Sequence, residues 1–338
     1  VELGLEGSGT TVREGIASFD DGTGAMFAVS SEGTLVYVPT GALVGGSEIV
    51  WLGGGRESET TLRDGTYFSP RLSPDGRRLA VERAAEGGHD IWIHDLVRDT
   101  ATPLTTNGDS HRPVWSADGR WVAFDSTAPA PAARRVYRRR IDFAGEAELL
   151  FESSEGLNLD DWSPDGRWLV GSVATVDGGR DVWAFPLDGN EEPRAIIRSP
   201  SIDSTASISP DGKFVLYHSD ESGPFEVYVT SFPDAGRRVQ ISTAGGSDGA
   251  WSPGGDRIVY PRFGVFYEVD VTTEPELSAG TPREIHRAPY VDGLGRDFDL
   301  HPDGKRLIVA LGRGANQRAM VVVVNWLEEL KRLVPTDG

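Results

Sequence analysis

The chain has 338 residues, 52 acidic side chains against 33 basic ones, and a formal charge of −19. Such a field repels nucleic acid and anionic lipid, and the lack of any cysteine excludes disulfides, thiolate metal sites and a cysteine nucleophile. No stretch approaches the roughly 18 consecutive apolar residues of a membrane helix, so no membrane insertion by this segment is expected. The sequence begins at Val1 without a methionine or a signal peptide and is therefore expected to be a trimmed or processed piece.

From the N-terminus onward one short turn keeps returning. It ends at Gly33 (SSEG), Gly76 (SPDG), Gly119 (SADG), Gly166 (SPDG), Gly212 (SPDG), Gly255 (SPGG) and Gly304 (HPDG), with gaps of 43 to 49 residues. A period in the forties belongs to propeller blades or helical arrays. The segments between the turns decide between the two. After each turn comes an apolar, β-branched run such as "RRLAVE", "RWVAFDS", "KFVLYHS" or "KRLIVAL". About ten residues on comes a second alternating run, such as "HDIWIHDL", "RDVWAFPL" or "FEVYVTSF". A third follows, as in "TATPLTT" or "RRVQIST", and a short strand such as "PVWS" or "GAWS" precedes each turn. Four antiparallel strands per unit, with no room for a helix, make a propeller blade.

The predicted fold is therefore all-β, a β-propeller of four-stranded antiparallel blades forming a single domain over 1–338. Seven turns predict seven blades, with six as the alternative. Residues 10–16, "TTVREGI", are expected to pair with "RAMVVVVN" and so complete the last blade, and "WLEELKRL" reads as a short C-terminal helix. Proline, aspartate and glycine in the turn close a tight hairpin, so Asp75, Asp118, Asp165, Asp211 and Asp303 are read as structural, not catalytic. Trp115, Trp162 and Trp251 share one register before the turn and are expected to pack between blades.

The innermost strands should line the ring axis. Residues there vary although the turn does not: Tyr67, Arg71, His111, Arg112, Asn158, Asp160, Asp161, Thr205, Ser207, Asp248, Arg296, Asp297 and Asp299. Convergent polar groups at a propeller mouth are the default binding site. Asp160, Asp161 and Asp297 are candidate ligands for a hard cation, Ca2+ foremost, with Asp299 beside them. Nearby arginines oppose that, because positive charge disfavours a cation. His89 and His94, five apart on one strand, face opposite sides and suit no shared metal. His111, at the channel mouth, is the histidine to watch. The run "RRVYRRRI", 134–141, is the one basic patch, either an exposed blade face or a contact for an acidic partner. No Gly-x-Ser-x-Gly elbow, phosphate-binding loop, HExxH or EF-hand loop occurs.

The repeats "RLSPDGRRLAV…HDIWIHDL" and "WSPDGRWLVGSV…RDVWAFPL" resemble the TolB-like, or WD-like, propeller repeat family, over nearly the whole chain. "FAVSSEGTLVYVPTG", "SDESGPFEVYVTSFPDAG" and the terminal "VVVVNWLEELKRLVP" are similar to propellers found behind bacterial serine/threonine kinase domains. The kinase signatures themselves are absent from this sequence. The resemblance implies a non-catalytic binding or sensor module of a larger bacterial signalling protein, recognising a protein or small-molecule ligand at the channel face. It also implies a monomeric module placed outside the cytoplasm, at the periplasm or cell surface. The rival is a propeller enzyme, lactonase- or lyase-like, with a divalent cation in the channel. A third reading is the gating propeller of a peptidase encoded elsewhere.

Overall fold

The described turns share a pattern of local bonds, and Ser73–Gly76 illustrates it. Ser73 Oγ accepts the N–H of Arg78 at 2.9 Å and donates to Asp75 Oδ1 at 2.6 Å, while that oxygen also takes the N–H of Arg77 at 3.1 Å. Gly76 donates its N–H to Ser73 O at 2.8 Å from a φ of 67°, a left-handed conformation in which a Cβ is strained. The serine–aspartate bond recurs at Ser116–Asp118, Ser163–Asp165 and Ser209–Asp211. Where Gly254 replaces the aspartate, Asp256 takes the hydroxyl of Ser252 instead. Where His301 replaces the serine, its Nδ1 accepts the N–H of Asp303 at 3.1 Å. The turn residues are thus occupied in building hairpins.

The structure is a computed structural model that describes residues 27–29, 35–37, 46–54, 56–63, 65–85, 88–127, 133–189, 191–288, 295–312 and 321–323. The chain divides into two compact units. The unit Ser47–Leu311 carries six antiparallel sheets. Blade 1 runs through Thr66–Leu72, Arg78–Ala85, Gly88–Asp95 and Thr100–Pro103, innermost strand first. Blade 2 follows with His111–Trp115, Trp121–Ser126, Arg134–Arg140 and Glu148–Ser153. Blade 3 is Leu157–Trp162, Trp168–Ala174, Arg180–Pro186 and Arg194–Ile197. Blade 4 is Asp203–Ile208, Phe214–Ser219, Glu226–Ser231 and Val239–Gln240. Blade 5 is Ala250–Trp251, Arg257–Arg262 and Val265–Thr272, whose outer edge pairs with both Ser278–Ala279 and Arg283–Arg287. In blade 6, Phe298–Leu300 and Arg306–Gly312 are completed by Ser47–Gly53 and Arg56–Leu62 from the beginning of the unit.

That last sheet corrects the blade count and the closure. The ring has six blades, not seven. The expected partner of the last blade, "RAMVVVVN", goes elsewhere: Val321–Val323 pairs with Leu35–Tyr37, which pairs in turn with Phe27–Val29 in a separate three-stranded sheet of the other unit. The apolar strand "SEIVWLG" and its hairpin partner satisfy the open edge of "KRLIVAL" with two strands at once, which is how the unit avoids an unpaired edge. The turn at Gly33, the predicted strand 10–16 and the predicted C-terminal helix lie outside the described residues. Among the described residues no helix occurs, and none is long and apolar enough to cross a membrane.

Successive inner strands touch one another around the whole cycle, from blade 1 to blade 6 and back. The core is correspondingly not central but divided into six apolar clusters, each spanning one pair of neighbouring blades. Tyr217, Phe266 and Phe298 are its largest fully buried side chains. Trp115, Trp162 and Trp251 lie in these clusters as expected.

Candidate functional site

The inner strands share an irregularity three residues before their last anchor. Ser69, Arg112, Thr205 and Asp248 sit there with φ of 48°, 50°, 54° and 51°, left-handed values uncommon for residues with a side chain. The ladder slips at this point in several blades, between Phe68 and Arg71 and between Ser204 and Ser207 among them. A slip of this kind frees backbone N–H groups that would otherwise be buried unpaired. In four blades a polar side chain of the preceding blade accepts one of them. Ser69 N–H donates to Asp297 Oδ1 at 2.6 Å, Arg112 N–H to Glu82 Oε2 at 3.1 Å, Leu159 N–H to Asp125 Oδ1 at 3.4 Å and Asp248 N–H to His218 Nδ1 at 3.0 Å.

Two of the predicted cation ligands belong to the same frame. Asp161 Oδ2 accepts Ile208 N–H at 2.9 Å and the Ser207 hydroxyl at 3.2 Å, both from blade 4, while Oδ1 accepts Trp162 N–H at 2.8 Å. Asp299 does the equivalent from blade 6, accepting Leu72 N–H at 2.8 Å and Leu300 N–H at 3.0 Å. The indoles run the other way: Trp115 Nε1 donates to Arg71 O at 2.9 Å and Trp251 Nε1 to Ser207 O at 3.2 Å. Blades are thus strapped together by polar bonds at the ring's inner edge.

The predicted set falls into three parts. Arg71, Arg296, Asp297, Asp299 and Asp161 interact electrostatically from blades 1, 6 and 3, and Asp248 of blade 5 adds its charge to Asp297. Arg71 and Arg296 are both buried; Arg71 Nη1 donates to Pro70 O at 2.9 Å and to Arg296 O at 2.7 Å. Burial, followed by the like charge of Arg296, lowers the Arg71 guanidinium to about 10, so it stays charged at neutral pH. The Nε atoms of both arginines are buried with no hydrogen-bond partner among the described residues. Burial raises Asp297 to about 7 and pushes Asp299 upward as well.

Asp160 lies apart from that group, in blade 3. It is raised to about 6 by burial, and its Oδ2 has no partner among the described residues. Asn158 stands opposite Ser172 on the same blade. Tyr67 turns into the apolar cluster between blades 6 and 1, edge-on to His94 at 6.3 Å.

His111 and Arg112 form the third part, with residues that inspection of the sequence passes over. Glu82 Oε1 lies 2.5 Å from His89 Nδ1 and 3.0 Å from His111 Nδ1, and the two imidazole centroids are 5.0 Å apart. His111 Nε2 is 3.2 Å from Asp109 Oδ1. The other oxygen of Asp109 accepts the N–H and hydroxyl of Thr127 at 2.5 and 2.6 Å. Carboxylate contacts raise the His111 imidazole despite its burial, and Glu82 is lowered against its burial by His111 and His89. His89 and His94 do face different ways, and burial pushes His94 down to about 4. The partner of His89 is His111 on the next blade. One signal pointed here: Glu82 follows its turn glycine by the same interval as Asp125 and His218, each a polar residue inside an apolar strand.

Four of the five arginines of the basic run pair with carboxylates, and the fifth, Arg139, donates Nη1 to Leu104 O at 2.6 Å. Arg134 reaches Asp125 at 2.9 Å, Arg135 reaches Glu152 at 3.0 Å, Arg138 reaches Glu148 at 2.7 Å, and Arg140 pairs with Asp142.

No family model matches the chain. A stretch of 206 residues, 57% of the chain, is 29% identical to an uncharacterized protein of Agrobacterium fabrum and covers 68% of it. Another of 184 residues, 54% of the chain, is 24% identical to the Tol-Pal system protein TolB of Wolinella succinogenes and covers 43% of it. Among solved structures, TolB from Acinetobacter baumannii superposes with a TM-score of 0.56 at 17% identity, over 74% of this chain and 66% of that one. The chain therefore spans less than half the length of the Wolinella protein and about two thirds of the Acinetobacter structure.

Proposed function

The chain belongs to the TolB-like β-propeller family, and from that premise we propose that it is a non-catalytic binding propeller that recognises a protein segment or small ligand at the inner edge of its ring. The observation that carries this reading is the pair Arg71 and Arg296. Two buried guanidinium groups, each with an Nε–H that no described residue accepts, are donors ready for an incoming carbonyl or carboxylate. Arg71 sits on the inner strand of blade 1 and Arg296 two residues before that of blade 6, and inter-blade bonds fix both segments, so little ordering is left to oppose binding. The likeness of the terminal segments to kinase-associated propellers supports a place in a larger bacterial signalling protein, outside the cytoplasm.

Peptides selected by display on the immobilised chain, then synthesised, test this. Each should bind at least tenfold more weakly to Arg296→Gln, with the fold of the variant checked by circular dichroism. A selection that returns no peptide, or peptides indifferent to both Arg296→Gln and Arg71→Gln, would sink the proposal.

The enzyme reading stands second. It needs Asp160, Asp161 and Asp297 as cation ligands, yet Asp161 accepts three hydrogen bonds with its two oxygens, and burial favours the protonated form of the other two. Calcium added to chelator-stripped protein should then give neither heat nor a shift in melting. A tight site abolished by Asp161→Ala or Asp297→Ala would reverse the ranking.

A further inference from the structure

We propose that Glu82, His89 and His111 form a binding site for a divalent first-row transition-metal ion of the zinc type, at the junction of blades 1 and 2. The three residues offer one carboxylate oxygen and two imidazole nitrogens, all within 4.8 Å of one another. Imidazole with a single carboxylate selects zinc and its neighbours over calcium or magnesium, which prefer oxygen alone. The site is distinct from the axial arginine group and does not depend on what that group binds.

The backbone builds the triad from two blades. Glu82 and His89 come from adjacent strands of blade 1, where Ala84 pairs with His89. The loop leading to His111 is tied to the His89 backbone: His89 N–H donates to Gly108 O at 3.0 Å, and Ser110 N–H to His89 O at 2.9 Å. This close approach depends on Gly88, since a Cβ there would stand 1.9 Å from Gly108 O. Phe68 stacks on the His89 ring at 5.7 Å and fixes its plane.

The outer contacts set the donor atoms. Asp109 takes the Nε2–H of His111 at 3.2 Å and is itself held by Thr127 and Ser126. A histidine so oriented presents Nδ1 as its ligating nitrogen, the usual carboxylate–histidine–metal order. Glu82 Oε2 is engaged by Arg112 N–H, which leaves Oε1 facing both imidazoles. Around a tetrahedral ion with bonds of about 2.1 Å, neighbouring donors stand about 3.4 Å apart. The Oε1–Nδ1 separations of 2.5 and 3.0 Å are those of proton-linked pairs, so an ion replaces protons and opens the triad by less than about 1 Å. The His89 and His111 side chains are 29% and 21% exposed, which leaves a path for the ion and room for water in its remaining positions.

The test uses the full chain, stripped with chelator and titrated with zinc alone by calorimetry. One equivalent should bind and raise the melting temperature, and cobalt in its place should give visible d–d absorption. His89→Ala and His111→Ala should each lose at least tenfold in zinc affinity. Asp109→Asn should lose about 10–100-fold, as outer partners of metal-bound histidines do. His286→Ala, a histidine of blade 5, should bind zinc as the unaltered chain does. Glu82 also supports Arg112, so the histidine variants are the decisive ones, their folding checked by melting without metal. Absence of zinc binding, or one-equivalent binding that survives His89→Ala and His111→Ala, overturns the proposal.

Discussion

Asp125→Ala is expected to lower the unfolding free energy by about 3–5 kcal/mol, the range seen when one partner of a buried ion pair is removed. Asp125 is fully buried in the second strand of blade 2. Its Oδ2 accepts Arg134 Nη1 at 2.9 Å and Arg112 Nη1 at 3.3 Å, and its Oδ1 accepts Leu159 N–H from blade 3 at 3.4 Å. Alanine removes the counter-charge of two guanidinium groups and the acceptor that joins blade 2 to blade 3. Asp125→Asn keeps an acceptor for Leu159 without the charge, so its loss should be smaller. The exposed turn carboxylate of Asp118, paired with Arg120, provides the contrast, and its removal should cost under about 1 kcal/mol. Urea denaturation at fixed pH measures all three. A loss for Asp125→Ala no larger than that for Asp118→Ala would mean that the inter-blade frame contributes little to the ring.

What the sequence discloses depends on how local the physics is. The Ser-Pro-Asp-Gly turn closes on itself through bonds spanning five residues or fewer, so its role at Ser73–Arg78 can be read from one copy. The blade register follows, because alternation and turn spacing are local as well. The number of blades does not follow. The turn at Gly33 (SSEG) keeps the serine, the acidic residue and the glycine of the others, yet Leu35–Tyr37 after it pairs with Phe27–Val29 on one side and Val321–Val323 on the other, while Ser47–Gly53 and Arg56–Leu62 complete the last blade of the ring. That choice lies between edges separated by most of the chain, and no single repeat encodes it.

The candidate site divides along the same line. Position on the inner strand was legible, and Arg71, Arg296, Asp297 and Asp299 do come together. The use made of each carboxylate was not, because Asp161 and Asp299 bond to N–H groups of the following blade, freed where the inner strand slips. The histidines show it most plainly. Within its own strand His89 has no fellow ligand, and the fold brings His111 to it from the next blade. A polar residue such as Glu82 inside an apolar strand was the trace left in the sequence, since a buried carboxylate requires partners.

Asp297→Asn should give the opposite result to Asp125→Ala and stabilise the protein in alkaline solution. Burial raises the Asp297 carboxyl from its ordinary 3.8 to about 7, with the nearby Asp248 and Glu82 charges adding to the rise. The folded state therefore holds this proton more tightly than the unfolded chain does. As pH climbs from about 4 to about 7 the unfolded chain releases the proton first, and stability falls through that window. At about 1.4 kcal/mol per pH unit, the ionised group costs a few kcal/mol by pH 8. Asparagine keeps an oxygen for the Ser69 N–H, bonded now at 2.6 Å, and has no charge to desolvate. The variant should melt higher than the parent at pH 8, and the difference should shrink steadily and vanish near pH 4. A difference that stays constant with pH would show that ionisation of Asp297 is not its cause. A neutral residue at 297 also removes a counter-charge beside Arg71. A peptide carboxylate that binds the axial arginines should accordingly bind Asp297→Asn more tightly than the parent at pH 8, and equally well in acid, where the parent carboxyl is already protonated.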